Sequence, residues 1–300
     1  MWKDDRPQSQ EYTWTGATQQ LPIHRTEEML DFRFQYGSYA LVTGASAGLG
    51  EAIAEELAAH GLDLVLVARR KDKLEVLAER LMREHQITAK VMALDLTREG
   101  SVNQLLRDTE EIDIGLVVIN AGQIALGAFL ENDIGRETET LRLNSLIPLQ
   151  LAFHFGNKLK ARGYGGLLFV SSMIGLTAGP YQANSAASNA YVTSLGEALH
   201  AELKATDVHV TVLAPGGLNT EGVRNSSFDF SLVPLMDPQR VARIGIAALG
   251  RKALVVPGTM NAITSFLIKY VLPRSWSVNL SGLLVSRMIG VGQVKERETI

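Results

Sequence analysis

The 300-residue chain contains no cysteine, which excludes disulfides, thiolate nucleophiles and thiolate metal sites and fits a reducing compartment. Net charge is also scarce, because 29 basic and 32 acidic residues leave only −3. With no basic run to follow phosphates, nothing in the charge pattern points to a nucleic-acid partner. Long apolar runs are missing too. The nearest approach, residues 262–272, is interrupted by Lys269 and falls short of the roughly 20 residues that cross a bilayer. Asp4 and Asp5 stand where a secretory signal has a basic and then an apolar run, so a cytoplasmic chain is expected.

What is present describes one folded domain. A hydrophobic content of 46% over this length is enough to bury a substantial core. Residues 1–36 are polar and mixed, with Trp2, Tyr12, Trp14 and Phe34 scattered among them, and read as an arm that packs its aromatics or frays. From residue 37 the pattern changes. Short apolar runs at 39–43, 62–68, 90–94, 115–119, 166–170, 209–213 and 253–256 alternate with longer segments of helical period. Leu49, Ile53 and Leu57 mark one helical stripe and Leu74, Leu77 and Leu81 the next. Near-continuous apolar strands with helices between them predict a Rossmann-type, doubly wound parallel sheet of seven strands over 37–260.

Directly after the first of these strands come Gly44, Ser46, Gly48, Leu49 and Gly50, and then a helix. Glycines there let the backbone turn sharply and let a pyrophosphate approach the free N–H groups of the helix N-terminus. An acid at the end of the second strand would bind the adenosine ribose hydroxyls and repel a 2′-phosphate. Arg69 and Arg70 stand there instead, and guanidinium pairs with phosphate, so NADP(H) is favoured over NAD. Arg69 is the stronger candidate, since Arg70 also reads as a solvated residue at a helix start.

These residues resemble the short-chain dehydrogenase/reductase family, and the resemblance covers roughly 36–260. The glycine loop from Thr43 to Gly50 is similar to the family's cofactor loop. Asp95 resembles the acid that meets the adenine, and Asn120, Ala121 and Gly122 resemble the Asn-Ala-Gly that closes the fourth strand. The resemblance makes Asn144 the asparagine of the central helix, whose water relays protons, and Ser172 the serine that bonds the substrate oxygen. It makes Pro215, Gly216 and Thr220 the segment around the nicotinamide carboxamide.

The resemblance fails at one place. The family's proton donor is a tyrosine, with a lysine one helical turn on that lowers its pKa and grips the nicotinamide ribose. Here those positions hold Ser185 and Asn189. The flanks and the distance from Ser172 agree with the family, so the alignment stands. Tyr191 is two residues beyond Asn189, about 200° around a helix, and is expected to pack. Tyr181 is near enough to serve as a surrogate acid, but no cation follows it at the needed offset. Asn189 retains a side chain able to bond the ribose.

Three readings stay open: an impaired NADP(H)-dependent oxidoreductase, a redox-inactive binding or scaffold member, and a non-redox enzyme using Ser172, Asn144 and Ser185 to polarise a carbonyl. Two changed letters in regular flanks fit natural divergence or deliberate inactivation of an active parent. Residues 217–237, where the family places its lid, carry Val223, Phe228, Phe230, Leu232, Val233, Leu235 and Met236, with Arg224 as a cation. Such a lid suits a hydrophobic ketone, alcohol or 3-oxoacyl chain. The tail 261–300 reads as an amphipathic helical extension similar to that of the steroid and 3-oxoacyl thioester reductases, suited to packing or to peripheral membrane contact. The resemblance also implies a homo-oligomer.

Overall fold

The structure is a computed structural model that describes residues 10–12, 32–226, 228–231 and 233–290. Trp2, Trp14, Leu232 and residues 291–300 lie outside these, and Tyr12 is described by its backbone alone.

The seven parallel strands expected from the sequence are β2 (Tyr39–Thr43), β3 (Asp63–Ala68), β4 (Ala89–Ala93), β5 (Ile114–Ile119), β6 (Tyr164–Val170), β7 (Asp207–Leu213) and β8 (Leu254–Val255). The arm adds something its composition did not announce. A short strand, β1 (Gln10–Tyr12), pairs antiparallel with β4, so the sheet order is β1-β4-β3-β2-β5-β6-β7-β8. The chain order reverses between β2 and β5, and the carboxyl ends of these two strands open the crevice in which such sheets bind ligands.

Helices cover both faces because the strands are apolar on both. On one side α1 (Gly48–Ala59), α2 (Lys71–His85) and a later helix at Pro238–Ala248 pack Leu49, Ile53, Leu57, Leu74, Leu77, Leu81 and Ile246 into one core. The predicted leucine stripes are therefore buried as expected. On the other side lie α3 (Ser101–Asp108), α4 (Ile134–Leu141), α5 (Ile147–Arg162) and α6 (Ala183–Glu202). There Leu105, Leu151, Phe155, Leu159 and Val192 form the second core.

The chain continues through α7 (Glu221–Arg224), α8 (Pro238–Ala248), α9 (Thr259–Phe266) and α10 (Arg274–Met288). Between α4 and α5 the helix widens into a π turn at Arg142–Leu146, which turns Asn144 and Ser145 inward. Wide turns of this kind recur at functional sites.

Candidate active site

The glycine loop turns sharply between β2 and α1. Gly44 and Gly48 adopt φ of +69° and +61°, a region open to glycine at no steric cost. Gly50 is held by proximity: a Cβ there would lie 2.2 Å from the Gly44 carbonyl oxygen. Behind the loop, Thr43 Oγ1 accepts from the Asn120 and Ala121 amides at 2.9 and 3.0 Å, and Asn120 Nδ2 donates to the Thr43 carbonyl at 2.9 Å. The loop is thus pinned to the end of β5. Ala47 caps α1 without a side-chain bond to its amides, and Leu49 is buried beneath. This leaves a concave, N–H-rich cradle facing Thr220, whose methyl would touch a Cβ placed at Gly48 at 3.1 Å. The donors suit a pyrophosphate.

At the end of β3 both arginines are exposed. Arg70 reaches the loop, donating to Ser46 Oγ at 3.1 Å and to the Ser46 carbonyl at 3.3 Å. Arg69 instead lies within electrostatic reach of Asp95. Burial opposes ionisation of Asp95, but bonds from the Thr97 amide and hydroxyl, with the charges of Arg69 and Arg98, hold its carboxyl below the ordinary range. A cavity of about 810 Å³ opens beside this region, walled by Ser46, Gly48, Lys73, Arg80, Thr220 and Arg224 among others. A Lys73–Glu221 ion pair at 2.8 Å crosses from α2 to α7. Ser172, Ser185 and Asn189 stand outside that cavity.

The chemistry-bearing residues meet around the loop that follows β5, where the structure assigns several side chains to scaffolding. Asn144 is 7% exposed. Its Oδ1 accepts from the Gln123 amide at 2.9 Å, while Nδ2 donates to the Gln123 carbonyl at 2.8 Å and to Ser188 Oγ at 3.2 Å. A Cβ on Gly122 would sit 3.3 Å from Asn144 Oδ1, a tight contact. Tyr181, at φ +63°, accepts the Gly127 amide on its carbonyl at 2.8 Å. Positive φ is uncommon outside glycine.

Ser185 completes the stitching. Its side chain is fully buried, and its hydroxyl accepts from the Ala125 amide at 2.8 Å and donates to the Ala125 carbonyl at 3.2 Å. The hydroxyl's one proton is thereby committed to a backbone carbonyl. Asn189 Nδ2 donates to the Ser185 carbonyl one turn back at 2.8 Å, and its Oδ1 accepts from Ser171 Oγ at 3.4 Å.

Ser172 differs from these. Among the described residues its hydroxyl makes only long bonds, donating to the Pro215 carbonyl and accepting from the Ile174 amide, each at 3.4 Å. The Pro215 carbonyl also accepts the Met173 amide at 3.0 Å, and Gly216 gives way to Asn261, whose Nδ2 would lie 2.8 Å from a Cβ. Tyr191, expected to pack, is instead 40% exposed on α6, because helical rotation carries it off the buried Ser188 and Val192 side.

Residues 38–229 match the profile of the short chain dehydrogenase family. The chain belongs to that family. It is similar to a 7beta-hydroxysteroid dehydrogenase of Clostridium sardiniense, at 31% identity over 77% of this chain and 90% of the relative. It is 28% identical to a very-long-chain 3-oxoacyl-CoA reductase-like protein of Arabidopsis thaliana, over 82% of each. Among solved structures it superposes on a short-chain dehydrogenase of Sphingobium yanoikuyae in complex with NADPH. That match has a TM-score of 0.70 and 28% identity, and covers 75% of this chain and 89% of the other.

Sequence reasoning did not single out Gln123 and Ala125, whose backbone atoms hold Asn144 and Ser185, with Gln123 Nε2 also donating to Thr140 Oγ1 at 3.0 Å. A residue acting by its amide carries no side-chain signal. It also passed over Glu137, a buried carboxylate that accepts from Asn132 Nδ2 at 2.6 Å and Asn184 Nδ2 at 2.8 Å. These partners flank the same loop.

Proposed function

We propose that this protein binds NADP(H) on the cradle of Gly44, Ser46, Gly48 and Gly50, with Arg69 and Arg70 meeting the 2′-phosphate and Asp95 the adenine. Under its lid it takes a hydrophobic ketone, alcohol or 3-oxoacyl chain. Bound NADP(H) would supply hydride; the chain's own part is to orient the carbonyl and to manage its proton. Ser172, with its loosely held hydroxyl, is the group free to bond that oxygen.

Proton delivery is where the site is weak. A carbonyl gaining hydride builds negative charge on oxygen and needs an acid within hydrogen-bond reach. The observation that carries this reading is the bond pair between Ser185 and Ala125: the hydroxyl in the acid's position is buried and already spoken for. Asn189 is neutral and supplies no positive field. Losing both functions is expected to lower turnover by roughly 10²–10⁴-fold. Tyr181 is the remaining phenol in the neighbourhood and, in this reading, a poor substitute without a cation beside it.

The test compares the unmodified chain with Ser185→Tyr/Asn189→Lys, using NADPH and a panel of hydrophobic ketones, after confirming that both are folded. The double variant should reduce ketones at least about a hundredfold faster. Equal and rapid turnover by both proteins would overturn the reading and move the proton donor to Tyr181. The same Ser185 bonds favour a second reading, a binding member that holds cofactor and ligand without redox turnover. NADPH binding with no detectable reduction by the unmodified chain would select it.

The proposal extends to assembly and place. Leu146, Leu149 and Phe153 are exposed at i, i+3 and i+7 along the π turn and α5, the spacing of a helical seam, and support a homo-oligomer. A cytoplasmic protein touching membranes peripherally is the proposed setting.

A further inference from the structure

The two C-terminal helices are packed with their small side chains inward and their large ones outward. The residues that α10 buries are Ser277, Gly282 and Val285; in α9 the buried residue is Ser265. Meanwhile Trp276 is 66% exposed and Leu280, Leu283 and Leu284 are also exposed. These four recur at i, i+4, i+7 and i+8 and so share a face. Phe266 and Tyr270, also exposed, lie a turn apart on the neighbouring segment, which Ser277 Oγ ties to α10 through the Ile268 carbonyl at 3.2 Å. The tail is thus not a helix with an apolar side turned inward, as amphipathic packing on the domain would require.

Its charge is one-sided. From 238 to 295 the sequence contains no aspartate or glutamate, while Lys269, Arg274 and Arg287 are exposed; Arg287 shares the helical face of Trp276, and Arg274 stands at the start of α10. Lys269 has Glu197 at 3.9 Å as a distant partner. A second copy of this chain docking face to face about a twofold axis would bring like cations together. An anionic lipid surface would complement both the apolar stripe and its cationic margin. No helix among the described residues is long and apolar enough to cross a bilayer, so the contact would be interfacial.

We propose that α9, α10 and the turn between them form a docking plateau for an anionic lipid bilayer. Trp276, Tyr270, Phe266, Leu280, Leu283 and Leu284 enter the interface, while Arg274 and Arg287 meet the headgroups. The plateau adjoins the substrate side of the molecule. Gly282 packs against Pro180, next to Tyr181, where a Cβ would lie 2.9 Å from the proline ring. The Met288 carbonyl accepts the amide of lid residue Asp229 at 3.0 Å. Resting on the lipophilic-substrate reading above, docking would let substrate pass from the bilayer to the lid without crossing water.

The experiment is co-sedimentation of the full chain with vesicles of phosphatidylcholine alone or with phosphatidylglycerol, in low and high salt. NADPH binding is measured on the same samples. Binding to the anionic vesicles should exceed binding to phosphatidylcholine at least tenfold and weaken in high salt. Leu280→Ser/Leu283→Ser/Leu284→Ser and Arg274→Glu/Arg287→Glu should each lose at least tenfold while still binding NADPH. An unmodified chain that stays in the supernatant overturns the proposal, as do variants that bind equally well. It is also overturned by a dimer that dissociates in the leucine variant without any vesicle binding. Loss of NADPH binding with vesicle binding intact would overturn the cofactor reading alone.

Discussion

The hydroxyl of Ser185 is bonded to both backbone polar atoms of a single residue, Ala125, at 2.8 and 3.2 Å. The Ser185 side chain thereby serves as a clip between α6 and the loop after β5. The clip is one of three, with Asn144 on Gln123 and Tyr181 on Gly127. Together they hold the loop at residues 123, 125 and 127.

Removing the clip should cost stability. Ser185→Ala leaves the buried Ala125 amide and carbonyl without their partner, and an unsatisfied buried group costs about 1–3 kcal/mol. Urea denaturation should show a loss of that size, whereas Ser172→Ala, which removes only two 3.4 Å contacts, should fall within about 0.5 kcal/mol of the parent. An equal, small effect from both would show that the Ser185 bonds contribute nothing.

Gly50→Ala should damage both the fold and cofactor binding. The new methyl would lie 2.2 Å from the Gly44 carbonyl oxygen, a backbone atom that cannot step aside without opening the phosphate loop. The expected penalty is at least the roughly 1–3 kcal/mol of an overpacked site, read as a lower Tm. NADPH affinity, followed by fluorescence titration, should fall with it.

The two arginines after β3 should set the preference between dinucleotides. Replacing both, as Arg69→Ala/Arg70→Ala, removes the charge-assisted bonds available to a 2′-phosphate. NADPH affinity should drop roughly 10- to 100-fold, and NADH affinity should change little. Because Arg70 also bonds Ser46, its single variant should in addition loosen the loop. A double variant that keeps its NADPH preference would remove both residues from this role.

Asp95 gives a pH dependence of known sign. Its folded carboxyl lies below the ordinary range, so its contribution is full above the unfolded pKa, near about 3.9. That contribution is lost as pH falls through the lower folded value. The Tm difference between the parent and Asp95→Asn should therefore be flat from about pH 7 to pH 5 and close below about pH 4. A gap that persists under acid would mean that Asp95 acts through shape and not charge.

The amino-acid sequence by itself determined the parallel sheet, its two leucine-faced helices and the glycine loop, because each rests on local periodicity or on backbone freedom that few residues allow. Leu49, Ile53 and Leu57 could be placed on a buried face by spacing alone. That the chain holds Ser185 and Asn189 was equally visible. What Ser185 bonds was not, since its partner Ala125 lies 60 residues away, and a backbone amide leaves no mark in a sequence. The same holds for β1, whose partner β4 lies far along the chain. It also holds for Arg70, which only the curvature of the loop brings onto Ser46. Tertiary structure decided, too, which way the last helix faces: its apolar residues recur in a stripe, but only packing shows that Ser277 and Gly282 take the inside and Leu283 the outside. Spacing specifies which side chains share a face; the surroundings that the fold assembles specify what that face meets.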